Sequence, residues 1–98
     1  MMSSPHTVAC FFHVRVDAIN EMKQLIADVT KPSRVEHGCL VYHWSQSLED
    51  DALFLLYMEW EDRAAFEAHV ATTHVQRAER DLVDLCVQPY HDWQFVRL

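Results

Sequence analysis

The sequence predicts an α+β domain of the ferredoxin-like βαββαβ type, a four-stranded antiparallel sheet with helices on one face. Three observations predict it. Four short runs are rich in β-branched and aromatic residues, as strands are. Apolar residues at helical spacing fill the stretches between the first and second runs and between the third and fourth. The chain has 98 residues, one domain's worth.

Taken in order, residues 1–7 form a short polar arm, and the domain spans 8–98. Val8 to Val16 is the first strand, Val-Ala-Cys-Phe-Phe-His-Val-Arg-Val. Asp17 follows as a candidate N-cap. Ile19, Met22, Leu25, Ile26 and Val29 then recur at helical spacing. Pro32 is expected to kink or restart this helix, because it lacks the N–H that the ladder needs. Ser33 to His37 make one further turn, closed by Gly38 at the C′ position. Cys39 to Ser47 is the second strand, Leu48 to Asp51 the turn, and Ala52 to Trp60 the third strand. Asp62 caps a helix over Arg63 to Ala71, and Thr72 caps another with Val75, Ala78, Leu82 and Leu85 on one stripe. Pro89 ends that region, and Tyr90 to Leu98 is the final strand.

The third strand carries a further expectation. A strand with one wet face alternates apolar and polar residues. Ala52-Leu53-Phe54-Leu55-Leu56-Tyr57-Met58 does not, and Val8 to Phe12 has the same habit. Helices cover only one face of such a sheet. The other face is expected to be covered by the sheet of a second copy, giving a homodimer.

Composition narrows the function classes. The chain is 50% apolar and 23% charged, within the range of folded domains. Eight basic against fifteen acidic residues give a net charge of −7. That argues against a nucleic-acid surface, since phosphates call for a Lys/Arg patch. The longest apolar stretch, Ala52 to Met58, is too short for a membrane span. Residues 1–7 show no signal-peptide pattern. Cys10, Cys39 and Cys86 are odd in number and form no C-x-x-C, which suits reduced thiols in the cytoplasm. With a single Gly the chain has no Gly-rich phosphate loop, and neither a dinucleotide or flavin fingerprint nor a structural zinc set is present. No cofactor and no metal are therefore expected.

Among seven His, His6 and His91 read as surface groups, and His13 and His43 as core or interface residues. His69 and His74 stand apart, in His69-Val-Ala-Thr72-Thr73-His74 at a helix junction. Their plain structural role is capping. Their chemical role is an acid/base pair at a pocket mouth, for which an imidazole is suited at neutral pH. Trp44, Trp60, Trp93, Tyr42, Tyr57 and Phe54 supply aromatic bulk, either as core and interface or as the wall of a pocket for a flat apolar ligand.

Three motifs in order are similar to the antibiotic biosynthesis monooxygenase domain, of the small quinol-monooxygenase type. They are Pro32-Ser33-Arg34-x-Glu36-x-Gly38-Cys39-Leu40-x-Tyr42, Phe54-x-x-Tyr57-x-x-Trp60-x-Asp62-x-x-Ala65, and His69-x-x-Thr72-x-His74. The resemblance implies a dimeric α+β-barrel and, in some members, cofactor-independent oxygenation of quinol- or anthrone-like aromatics by O2. It also implies that Trp60 is the family's third-strand Trp, and that His69, Thr72 and His74 form its helix-junction motif. Anthrone-oxygenating members carry Asn at the place of Leu56 and Tyr at that of Phe66. Many relatives carry Glu at that of Met58, and haem-degrading members carry Asn at that of Cys10. The expected site is therefore His69 and His74 as acid/base residues, with Tyr57, Trp60, Phe54, Leu56, Met58 and Phe66 against the substrate. Two readings stand: a monooxygenase acting on a small aromatic substrate, and a non-catalytic dimeric module binding an apolar ligand.

Overall fold

A computed structural model describes residues 5–98. Strand β1 is His6–His13, β2 Cys39–Gln46, β3 Leu53–Trp60 and β4 Trp93–Val96. Helix α1 is Ile19–Arg34, α2 Arg63–Val70 and α3 Thr73–Leu85. The sheet order is β2-β3-β1-β4, with every neighbouring pair antiparallel. This is the ferredoxin-like arrangement expected, with the two strands central to the sequence pattern, β1 and β3, also central in the sheet.

Alternation along the strands decides what each face meets. Val8, Cys10 and Phe12 of β1 and Phe54, Leu56, Met58 and Trp60 of β3 are buried toward the helices. Met22, Leu25 and Val29 of α1, Phe66 of α2, and Ala78, Leu82 and Leu85 of α3 complete this core. The opposite face carries Ala9, Phe11, Leu55 and Tyr57, joined by Trp93 and Phe95 through their pairing with Ala9 and Thr7. Phe11, Trp93 and Phe95 stay about half exposed there, at 53%, 53% and 50%.

Several elements differ from expectation. β1 begins at His6, inside the predicted arm, while residues 1–4 of that arm lie outside the described residues. Val14 makes only an isolated bridge to Cys86, and Val16 opens a 3-10 turn. Asp17 caps nothing. It lies within that turn and accepts from Arg15 Nε at 3.1 Å, leaving Ala18 as the cap of α1. Helix α1 runs through Pro32 to Arg34. Pro32 sits in the last turn, where only one ladder bond is lost, and Arg34 Nε pins the end by donating to the Tyr42 carbonyl at 3.0 Å. The final strand shrinks to Trp93–Val96. Among the described residues, no helix is long and apolar enough to cross a membrane.

Candidate active site

Three local structures converge on one point. The first is the turn after α1. Gly38 has φ +84°, a conformation that suits glycine, and a Cβ there would stand 2.6 Å from the Ala65 Cβ of α2. The bare backbone thus lets α2 press against the turn that carries Glu36. The Gly38 carbonyl accepts from the Glu61 N–H at 2.7 Å, tying the same turn to the end of β3. The second is α2, started by Asp62, whose carboxylate accepts from the Ala65 N–H at 2.8 Å. The third is the α2–α3 junction. Thr72 Oγ1 accepts from the Val75 N–H at 3.4 Å, and its hydroxyl donates to the His69 carbonyl at 2.7 Å. One threonine therefore fixes the exit of α2 and the entry of α3 together.

The junction brings both imidazoles to Glu36. His69 Nδ1 and His74 Nε2 each lie 2.8 Å from Glu36 Oε2. His74 Nε2 is also 3.3 Å from Thr72 Oγ1. A carboxylate oxygen only accepts, so each of these ring nitrogens carries the proton. For His69 this leaves Nε2 as the lone-pair nitrogen. His69 is 3% exposed, its ring centroid 4.5 Å from that of Trp60 and 5.8 Å from that of Tyr42. Burial lowers the His69 pKa from the ordinary imidazole value, against the hydrogen bond and charge of Glu36, which act to raise it. That direction favours the uncharged form of the His69 ring. The donor atoms of Glu36, His69 and His74 lie within 4.8 Å of one another, close enough to converge on a metal ion. The two hydrogen bonds to a shared oxygen account for the same closeness.

His69 also lines a cavity of about 780 Å³ between the sheet and the helices. Its walls are aromatic and aliphatic: Phe12, Tyr42, Trp44, Leu56, Met58, Phe66, Val75 and Leu82. Phe12 packs against Trp44 and Tyr90 at centroid distances of 5.2 and 4.6 Å. Trp44 Nε1 donates to Tyr42 Oη at 3.2 Å, satisfying the indole inside an apolar wall. Toward α3 and the segment before β4 the lining turns polar, with Glu79, Gln88, His91 and Asp92.

The expected site residues divide accordingly. Leu56, Met58, Phe66 and His69 line the cavity. Trp60 lies behind His69 as a fully buried backing, and Phe54 is core beneath the sheet. His74 reaches Glu36 without lining the cavity. Tyr57 is a correction. The parity that turns Phe54, Leu56, Met58 and Trp60 inward turns Tyr57 outward, where its hydroxyl donates to Glu59 Oε2 at 2.7 Å. Glu36 was given no role by the sequence reading, nor were Glu79, Tyr90 and Asp92. Glu36 stood within the first of the three motifs, yet its partners lie 33 and 38 residues away, and no local spacing reveals that.

The fold and site define a class: small ferredoxin-like proteins with a buried histidine at an apolar cavity. The profile of the antibiotic biosynthesis monooxygenase family matches residues 5–81, and the chain belongs to that family. The crystal structure of PA3566 from Pseudomonas aeruginosa superposes with a TM-score of 0.91 at 32% identity, over 100% of this chain and 98% of that one. Rv0793 of Mycobacterium tuberculosis, provisionally named a monooxygenase, is 27% identical over 88 residues, covering 90% of this chain and 86% of its own. The uncharacterised protein sll1783 of Synechocystis is 31% identical over 85 residues, 87% of this chain. The chain spans only 58% of the length of sll1783.

Proposed function

We propose that the protein is a monooxygenase that inserts oxygen from O2 into a small quinol-like aromatic substrate, using His69 as the base and no added cofactor. The observation that carries this reading is the pairing of a buried imidazole, held by Glu36, with an apolar cavity. Glu36 accepts the Nδ1 proton of His69, and the free Nε2 belongs to a residue that lines the space where a ring would lie. A base oriented by a carboxylate through its far nitrogen needs no rearrangement to take a phenolic proton. The family assignment supports the reaction class.

The steps balance without a further reagent. His69 Nε2 takes the phenolic proton of the quinol. The resulting anion gives one electron to O2, and the semiquinone and superoxide recombine to form a carbon–oxygen bond. The ring hydroperoxide, once protonated, loses water as its ring C–H becomes a carbonyl. One quinol and one O2 thus give one hydroxyquinone and one water. The apolar walls hold the ring still and keep bulk water from the anion.

Under the same reading two copies pair through the outer sheet face. Phe11, Leu55, Trp93 and Phe95 present there an apolar surface that the chain's own helices do not cover. The free thiols of Cys10, Cys39 and Cys86 suit a reducing cytoplasm.

Oxygen uptake with a simple hydroquinone, measured against its autoxidation without protein, tests the reading. The protein accelerates uptake, and His69→Ala lowers the excess rate by about 10²–10⁴-fold. His74→Ala costs less, because His74 acts on Glu36 and not on substrate. An excess rate that survives His69→Ala contradicts the assignment.

A further inference from the structure

The charged groups around the cavity are one-sided. Among the described residues no Lys or Arg lines it, whereas Glu79 of α3 and Asp92 before β4 both do. Neither carboxylate has an ion-pair partner among the described residues. The remaining titratable groups of the lining are His69, His91, Cys86 and the phenols of Tyr42 and Tyr90. Burial pushes the Glu79 carboxyl up, and the charge of Asp92 adds to it. Burial raises Asp92 too, against Cys10, His69 and His91, which act to lower it, and Tyr90 is pushed up to about 12 by burial with Glu79 and Asp92 contributing. Glu79, Asp92 and Tyr90 thus share an end of the cavity that no Lys or Arg lines, with Glu79 half-buried and Asp92 on its exposed rim. A second observation points inward. His69 is 3% exposed, and its Nε2 has no protein partner among the described residues.

We propose that Glu79 and Asp92 make the cavity selective for ligand charge, so that it binds an aromatic ring bearing a protonated amine more tightly than a neutral ring, and rejects a ring bearing a carboxylate or phosphate. The reactive end of the ring meets His69, and the ammonium lies between the two carboxylates. Tyr90, facing Phe12 at 4.6 Å, offers a π face beside it. An anionic substituent would bring a third negative charge beside Glu79 and Asp92, with no guanidinium or ammonium in the lining to receive it. The net charge of −7 acts in the same direction at long range. This inference rests on the oxygenase reading only for the location of the site, and it specifies which substrates that site admits.

Calorimetric titration under argon, where no turnover occurs, tests it with three ligands that share one ring: 2-ethylhydroquinone, 2-(2,5-dihydroxyphenyl)ethylamine and 2,5-dihydroxyphenylacetate. The amine binds at least about tenfold more tightly than the acid, with the neutral ligand between them, as expected for opposite unit charges near partly solvated carboxylates. In Glu79→Gln, in Asp92→Asn and most in the double variant, the spread narrows. Equal affinities, a tighter acid, or an unchanged spread in the double variant overturns the proposal. The wild-type order alone suffices should the double variant not fold. Oxygen uptake with the same three compounds separates this inference from the oxygenase reading. An ordered series without accelerated uptake defeats the oxygenase reading alone, and accelerated uptake without the order defeats the charge selection alone.

Discussion

Phe54, Leu56, Met58 and Trp60 look toward the helices and are buried, while Leu53, Leu55, Tyr57 and Glu59, alternating with them, stay partly open. Seven of these eight side chains are apolar or aromatic, and what separates them is what lies above each face. The inner face has three helices and a cavity. Among the described residues the outer face has the side chains of its own strands and Arg97, which with Tyr57 gathers around Glu59. The lesson is that apolar content along a strand does not say which side chains are covered, whereas parity says which of them meet the helices.

That contrast can be broken from the inside first. Trp60→Ala removes a fully buried ring that backs His69. It costs about 3–5 kcal/mol of unfolding free energy, read by urea denaturation. Leu55→Lys acts on the outer face. Sedimentation shows the wild type as a dimer and this variant as a folded monomer, with a loss of stability in the monomer itself of at most about 1–2 kcal/mol. A wild type that sediments as a monomer at micromolar concentration contradicts the pairing of sheets. Equal destabilisation by both substitutions, with no change in assembly, erases the distinction between the faces.

The smallest effect is a pH dependence of stability. The folded protein holds the His69 proton less tightly than the unfolded chain, whose imidazoles titrate near about 6.5. The unfolded state therefore takes up more protons as pH falls. The stability contributed by neutral His69 is complete above the ordinary imidazole value. It is lost as pH drops from that value toward the lowered folded one. Urea midpoints across this range fall more steeply in the wild type than in His69→Gln. Parallel curves indicate that His69 does not titrate abnormally.

Much of this was legible in the sequence because it is local. Runs of β-branched and aromatic residues located the four strands, and helical spacing located the helices. Asp62 and Thr72 were readable as caps, since a cap needs only its own side chain and the next turn. Other features depend on tertiary partners. Pro32 was expected to interrupt α1, but the bond from Arg34 to the Tyr42 carbonyl holds the final turn in place. Asp17 was expected to cap α1, yet Arg15 takes its carboxylate. Tyr57 was misassigned although parity was available, because chemical type outweighed direction. Glu36 became meaningful only once Gly38 let α2 close against its turn, bringing residues 33 and 38 positions away onto one oxygen.

The proposed chemistry needs a neutral His69 whose free nitrogen belongs to the cavity. Long-range ¹H–¹⁵N NMR of the imidazoles at neutral pH, with His69→Gln for assignment, reads this directly. The expected result is a His69 ring with its single proton on Nδ1 and an unprotonated Nε2. A doubly protonated ring, or a proton on Nε2, would contradict it.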